Sequence, residues 1–141
     1  MLYDDNLLFS KTKKKKKAAT NTYKFKEGTK CYFAGCNLPI IAHHIVFKSS
    51  CNKEIVEQEG LMLPVCNHPH HLQSKELSIH GNYEINRVIQ VKAQMQWMIR
   101  ENKTEDDFRK IFGMNFMIYE LQARESRWWN EIVFNIQNKR V

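Results

Sequence analysis

The sequence predicts an α+β chain, with a small strand-bearing module built around Cys and His and a helical region after it. Two observations predict this. All four cysteines (Cys31, Cys36, Cys51, Cys66) and all six histidines (His43, His44, His68, His70, His71, His80) fall between residues 31 and 80. From Tyr83 onward the apolar residues recur instead at near-helical spacing.

Residues 1–22 carry Lys11 and then Lys13, Lys14, Lys15, Lys16 and Lys17, six positive charges within seven residues. Such a run repels itself and has no apolar face, so a mobile basic arm is expected here. An arm of that kind contacts phosphates without sequence preference and with steep salt dependence.

Residues 23–82 form the expected module. Strand character is present at 30–33 and 39–47, with Gly35 marking a turn between two cysteines. Residues 49–60 are polar and read as a loop. The apolar run 61–65 ends at Cys66, and Pro69 suits the entry to a short helix.

Residues 83–141 form the helical region. Ile85, Val88, Ile89, Val91, Met95, Met98 and Ile99 predict a helix running to about Asn102. Thr104 and Asp107 stand at capping-box spacing and open a second helix over 105–112, which Gly113 stops. A third helix is predicted over 116–138, carrying Ile118, Leu121, Trp128, Trp129, Ile132, Val133 and Ile136. Its tryptophan pair reads as core or as an oligomer contact, which makes this C-terminal helix a candidate homodimer surface.

The 141 residues predict one domain, and 43% hydrophobic content is ordinary for a soluble protein. No run approaches the apolar length of a membrane span, and the first residues lack a secretory pattern, so a cytoplasmic protein without a membrane partner is expected. Cysteines set among histidines point to metal ligation rather than disulfides. The net charge of +7 favours a polyanionic partner, nucleic acid first.

The ligand spacing carries the chemistry. Cys31 and Cys36 are separated by four residues, and Cys66 and His70 by three. Two such knuckles compose the Cys₃His set of a closed structural zinc site. His68 competes with His70 for the fourth place, and Cys51 matches no knuckle. His43, His44, His71 and His80 are left over. The adjacent pair His43-His44 can divide its work, one imidazole on a metal and the next acting as a base near neutral pH.

Taken in order, Cys31-x₄-Cys36, Ala42-His43-His44-Ile45, Leu63-Pro64-Val65-Cys66, His70-His71 and Ile79-His80-Gly81 resemble the HNH nucleases of the ββα-metal type. The likeness is greatest to the small HNH proteins of phages and prophages, and the run Phe108–Phe112 onward to Phe116 also resembles a tail segment of some of them. The resemblance implies a zinc-stabilised ββα-metal module and metal-dependent hydrolysis of phosphodiester bonds in DNA. Carried over, His44 becomes the general base. His43, His71 and His80 become ligands of one divalent ion (Mg, Mn, Ni or Zn). The products would carry 5′-phosphate and 3′-hydroxyl ends. For the family's middle Asn the candidates are Asn52, Asn67 and Asn82, with Gly60 near its expected place.

No helix shows an Arg/Asn/Gln pattern for base edges, so weak specificity is expected, or specificity supplied by phage packaging or recombination proteins in a bacterial host cell. The alternative function is a non-catalytic zinc module that binds nucleic acid or a host protein.

Overall fold

The computed structural model describes residues 23–32, 39–46, 52–66, 79 and 81–140. Helices and one two-stranded sheet make it α+β.

Strand β1 (Ile40–His44) pairs antiparallel with β2 (Met62–Cys66), Ile40 opposite Cys66 and His44 opposite Met62. The Ile45 N–H donates to the Leu61 carbonyl at 3.0 Å. By the alternation of an antiparallel ladder, the odd-numbered residues of β1 then exchange backbone bonds with β2 and the even-numbered ones do not. Pro64 stands opposite Ala42, where β1 asks for no N–H, so a proline is tolerated within the strand. Its carbonyl accepts the Tyr32 N–H at 2.8 Å on the other edge of β2. Every residue of β2 is buried. The strand expected over 30–33 does not form in its described part; residues 30–32 run beside β2 through the Tyr32 bond without joining a ladder.

The loop expected over 49–60 contains a short helix, α1 (Lys53–Gln58). Asn52 caps it, its side chain accepting the Glu54 N–H at 2.9 Å, and Val56 is wholly buried beneath it. So short a helix, with one core residue, leaves no periodic signal in the sequence. Gly60 follows at φ +75, and the Leu61 N–H returns to the Val56 carbonyl at 3.0 Å before β2 starts.

Helix α2 (Tyr83–Glu101) begins at Asn82, whose side chain accepts the Ile85 N–H, and ends at Asn102 in the left-handed conformation, as its periodicity predicts. Helix α3 (Glu105–Phe112) has both bonds of the Thr104–Asp107 capping box and stops at Gly113, φ 74. Phe108 and Phe112 meet the Trp97 ring edge-on at 5.3 and 5.6 Å, and Phe116 closes the group.

The third helix departs from expectation. Phe116–Tyr119 is a 3-10 turn, α4 covers only Glu120–Glu125, and residues 126–140 form an irregular strap. Ile118, Leu121 and Val133, which a helix over 116–138 would bury, are more than 70% exposed. Ile132 and Phe134 are buried on either side of Val133, the two-residue alternation of an extended chain. The strap is held by a polar stripe on α2 spaced one helical turn apart. Lys92 donates to the carbonyls of Trp129 and Ile132. Gln96 donates to the Phe134 carbonyl at 2.6 Å and accepts the Ile136 N–H at 2.7 Å. Arg100 donates to the Gln137 carbonyl at 2.8 Å. These bonds replace the ones a helix would have made within itself. Trp128 and Trp129 pack partly buried on the chain's own core, so no C-terminal helix presents them to a second copy.

One core joins the two regions. Ile45, Leu61 and Val65 of the module share it with Ile89 and Trp97 of α2 and Ile132 of the strap. No helix among the described residues is long and apolar enough to cross a membrane.

Candidate active site

Successive residues of a strand point to opposite faces. His43 therefore turns inward, 4% exposed, while His44 lies at the half-buried surface. The His44 Nε2 is 2.9 Å from a carboxylate oxygen of Glu57, on α1. Both side chains keep a little under a fifth of their surface accessible, 17% and 19%. The bond positions the ring. With Glu57 ionised, the imidazole donates from Nε2, so Nδ1 carries the lone pair. Glu57 has its place because Asn52 starts α1 and the turn at Gly60 ends it, with the helix packed against β1.

Tyr23 lies within reach of the Glu57 charge. Burial pushes its hydroxyl above the usual tyrosine range; the Arg140 cation pulls it down, and the Glu57 charge adds a smaller upward push. The Arg140 guanidinium sits 4.0 Å over the Tyr23 ring. The Arg140 N–H donates to the Gln58 carbonyl at 2.9 Å, so the far end of the strap is fastened to the end of α1.

At the other end of the sheet two buried cysteines meet. The Cys66 N–H points at the Cys31 sulfur, 3.3 Å away. The Tyr32 bond to Pro64 brings Cys31 there by holding residues 31–32 along β2. Of the expected zinc ligands, Cys31 and Cys66 are thus brought together across 35 residues of sequence. Their donor chemistry suits a soft or borderline ion.

Cys36, His70, His71 and His80 lie outside the described residues, as do the competing His68, Cys51, and Lys13, Lys14, Lys15, Lys16 and Lys17. Among the described residues no three Cys, His, Asp or Glu side chains form a metal-binding group. Of the candidates for the family's middle Asn, Asn52 and Asn82 serve as helix caps. Sequence reasoning missed Glu57, Tyr23 and Arg140. Glu57 sits in a run of charged residues thirteen positions beyond His44, and no spacing rule connects the two.

No family model, no curated protein and no solved structure matches this chain.

Proposed function

We propose that the chain is an HNH-type endonuclease, a metal-dependent hydrolase of phosphodiester bonds in DNA. The observation that carries the reading is the hydrogen bond between His44 and Glu57. A half-buried histidine at the end of a strand, with one nitrogen tied to a carboxylate, is equipped to take a proton from water on the other. Glu57 holds the ring and its tautomer. Nδ1 of His44 accepts the proton of a water whose oxygen attacks phosphorus in line with the leaving 3′-oxygen. The products carry 5′-phosphate and 3′-hydroxyl ends.

His43, His71 and His80 would hold one divalent ion, for which imidazole nitrogen is a suitable donor. When bound, Mg, Mn, Ni or Zn supplies polarisation of the phosphate and stabilisation of the departing oxygen. Cys31, Cys36, Cys66 and His70 would hold the structural zinc, and the buried meeting of Cys31 with Cys66 supports that assignment. In this reading the basic arm, Lys13–Lys17 above all, adds phosphate contacts. A location in the cytoplasm of a bacterial host, and phage packaging or recombination proteins as partners, belong to the same proposal by analogy with phage HNH proteins. So does a homodimer; with Trp128 and Trp129 packed on the core, the exposed apolar residues of the C-terminal region include Ile118, Leu121 and Val133.

The test is cleavage of supercoiled plasmid with each ion in turn, beside the His44→Ala variant. The expected result is nicked or linear DNA, with a rate loss in the variant of about 100-fold or more and unchanged metal content. Intact DNA with every ion overturns the reading. Intact DNA together with one tightly held zinc and no second ion would leave the non-catalytic zinc module in its place.

A further inference from the structure

An open trough of about 420 Å³ runs between residues 23–29 and β1, lined by Tyr23, Lys24, Phe25, Lys26, Ile40 and Ala42 among others. We infer that this trough is the track along which a nucleic-acid strand reaches His44, with Lys24 and Lys26 contacting its phosphates. The inference rests on the reading above only in taking nucleic acid as the partner.

Three observations carry it. The first is charge. Lys24 and Lys26 are the cations of the lining and both are exposed, while Glu27 is the acid there. In the sequence, the lysine-rich residues 11–17 precede the described segment by five residues. The second is the floor. Phe25, Ile40 and Ile41 are half-buried, and Tyr23 meets Phe25 edge-on at 5.1 Å. An apolar floor under a cationic rim suits a polymer with phosphates on one side and sugars on the other.

The third is position. In β1 the side chains of Ile40, Ala42 and His44 share one face, and the trough's lining ends at Ala42, two residues before the proposed base. Its Tyr23 wall feels the charge of Glu57, the residue bonded to His44. The rim is also a built structure. Thr29 closes a turn onto the Lys26 carbonyl through its N–H at 3.1 Å and its hydroxyl at 2.6 Å, with Gly28 at φ +85 between them. Arg140 donates to the Lys24 carbonyl at 3.3 Å.

Lys24→Gln/Lys26→Gln tests the inference in the full chain carrying His44→Ala, so that DNA is bound without being cut. Fluorescence anisotropy with a labelled duplex is followed across a salt series, and Lys103→Gln/Lys110→Gln is the control for charge alone. The slope of log affinity against log salt should fall in magnitude by about 1.8 for the two lost phosphate contacts. Lys24→Arg/Lys26→Arg should keep the parent slope, and the control pair should leave it nearly unchanged. An unchanged slope in the Gln pair, an equal loss in the control pair, or tighter Lys24/Lys26-dependent binding of polyglutamate than of DNA overturns the inference. Plasmid cleavage by the wild-type chain separates the two proposals. Cleavage with an unchanged slope sinks the trough alone, and a reduced slope with no cleavage sinks the nuclease alone.

Discussion

Gly60 and Gln137 meet backbone to backbone. The Gln137 N–H donates to the Gly60 carbonyl at 2.8 Å, and a Cβ placed on Gly60 would lie 2.2 Å from the Gln137 carbonyl oxygen. Gly60 also holds φ +75, where other residues are strained. Gly60→Ala should therefore destabilise the protein by at least about 2 kcal/mol, from the backbone strain and the collision together. Thermal unfolding reads the loss. Limited proteolysis should show the first new cuts within residues 126–140, because the strap loses its seat on the module; cuts that begin elsewhere would contradict this.

Glu57→Gln should slow DNA cleavage by about 10- to 100-fold while shifting the melting temperature little. The amide keeps the shape of the carboxylate but can offer its own N–H to the His44 ring, which favours the wrong tautomer. Initial rates at saturating metal, with melting curves alongside, check this. A rate equal to wild type would remove Glu57 from the site.

Gln94 is wholly buried on α2. It donates to the Asn115 side chain at 2.8 Å and accepts the Phe116 N–H at 2.6 Å. Gln94→Leu fills the volume but strands the Phe116 N–H, at a cost of about 1–3 kcal/mol. Chemical denaturation should show the loss in the midpoint, with the slope unchanged.

Cys31→Ser and Cys66→Ser should each lower the bound zinc and the melting temperature together. Structural zinc contributes on the order of 10 kcal/mol of apparent folding free energy, and that contribution is coupled to thiolate ligation. Elemental analysis of purified protein beside calorimetry tests it. Full zinc occupancy in both variants would exclude these sulfurs as ligands.

The α3 cap titrates in acid. The backbone N–H of Thr104, and then its hydroxyl, hold the Asp107 carboxyl below the usual carboxylate range. Arg109 and Lys110 do the same to Asp106. Groups with depressed folded pKa values stabilise fully above the unfolded value, about 3.9, and lose that contribution as pH falls through the folded value. Melting temperature should therefore fall more steeply below about pH 4 in wild type than in Asp107→Asn. Parallel curves would show that the cap carries no pH-dependent stability.

The elements legible in the sequence are those whose stability is local. For α2, seven apolar residues at helical spacing preceded the observed Tyr83–Glu101, and the Thr104–Asp107 box and Gly113 marked both ends of α3. The strap was misread because Trp128, Trp129, Ile132 and Ile136 also fall near helical spacing, although Ile132 and Phe134 alternate with Val133 as an extended chain does. In the site, the His43-His44 pair and the cysteines stood out by residue type. Glu57 and Arg140 did not, since charged residues on polar stretches are ordinary.

What the sequence alone determined is the inventory and part of the short-range structure: which residue types cluster, where α2 and α3 begin and stop, and which strand holds His43 and His44. Those follow from backbone bonds and periodicity within a few residues. Only the tertiary structure decided that Glu57 meets His44, that Cys31 meets Cys66, and that residues 126–140 cross α2 as a strap to Gly60 and Gln58. Those pairings join distant parts of the chain through a shared core, and no local pattern encodes the partner that a buried or half-buried polar group will find.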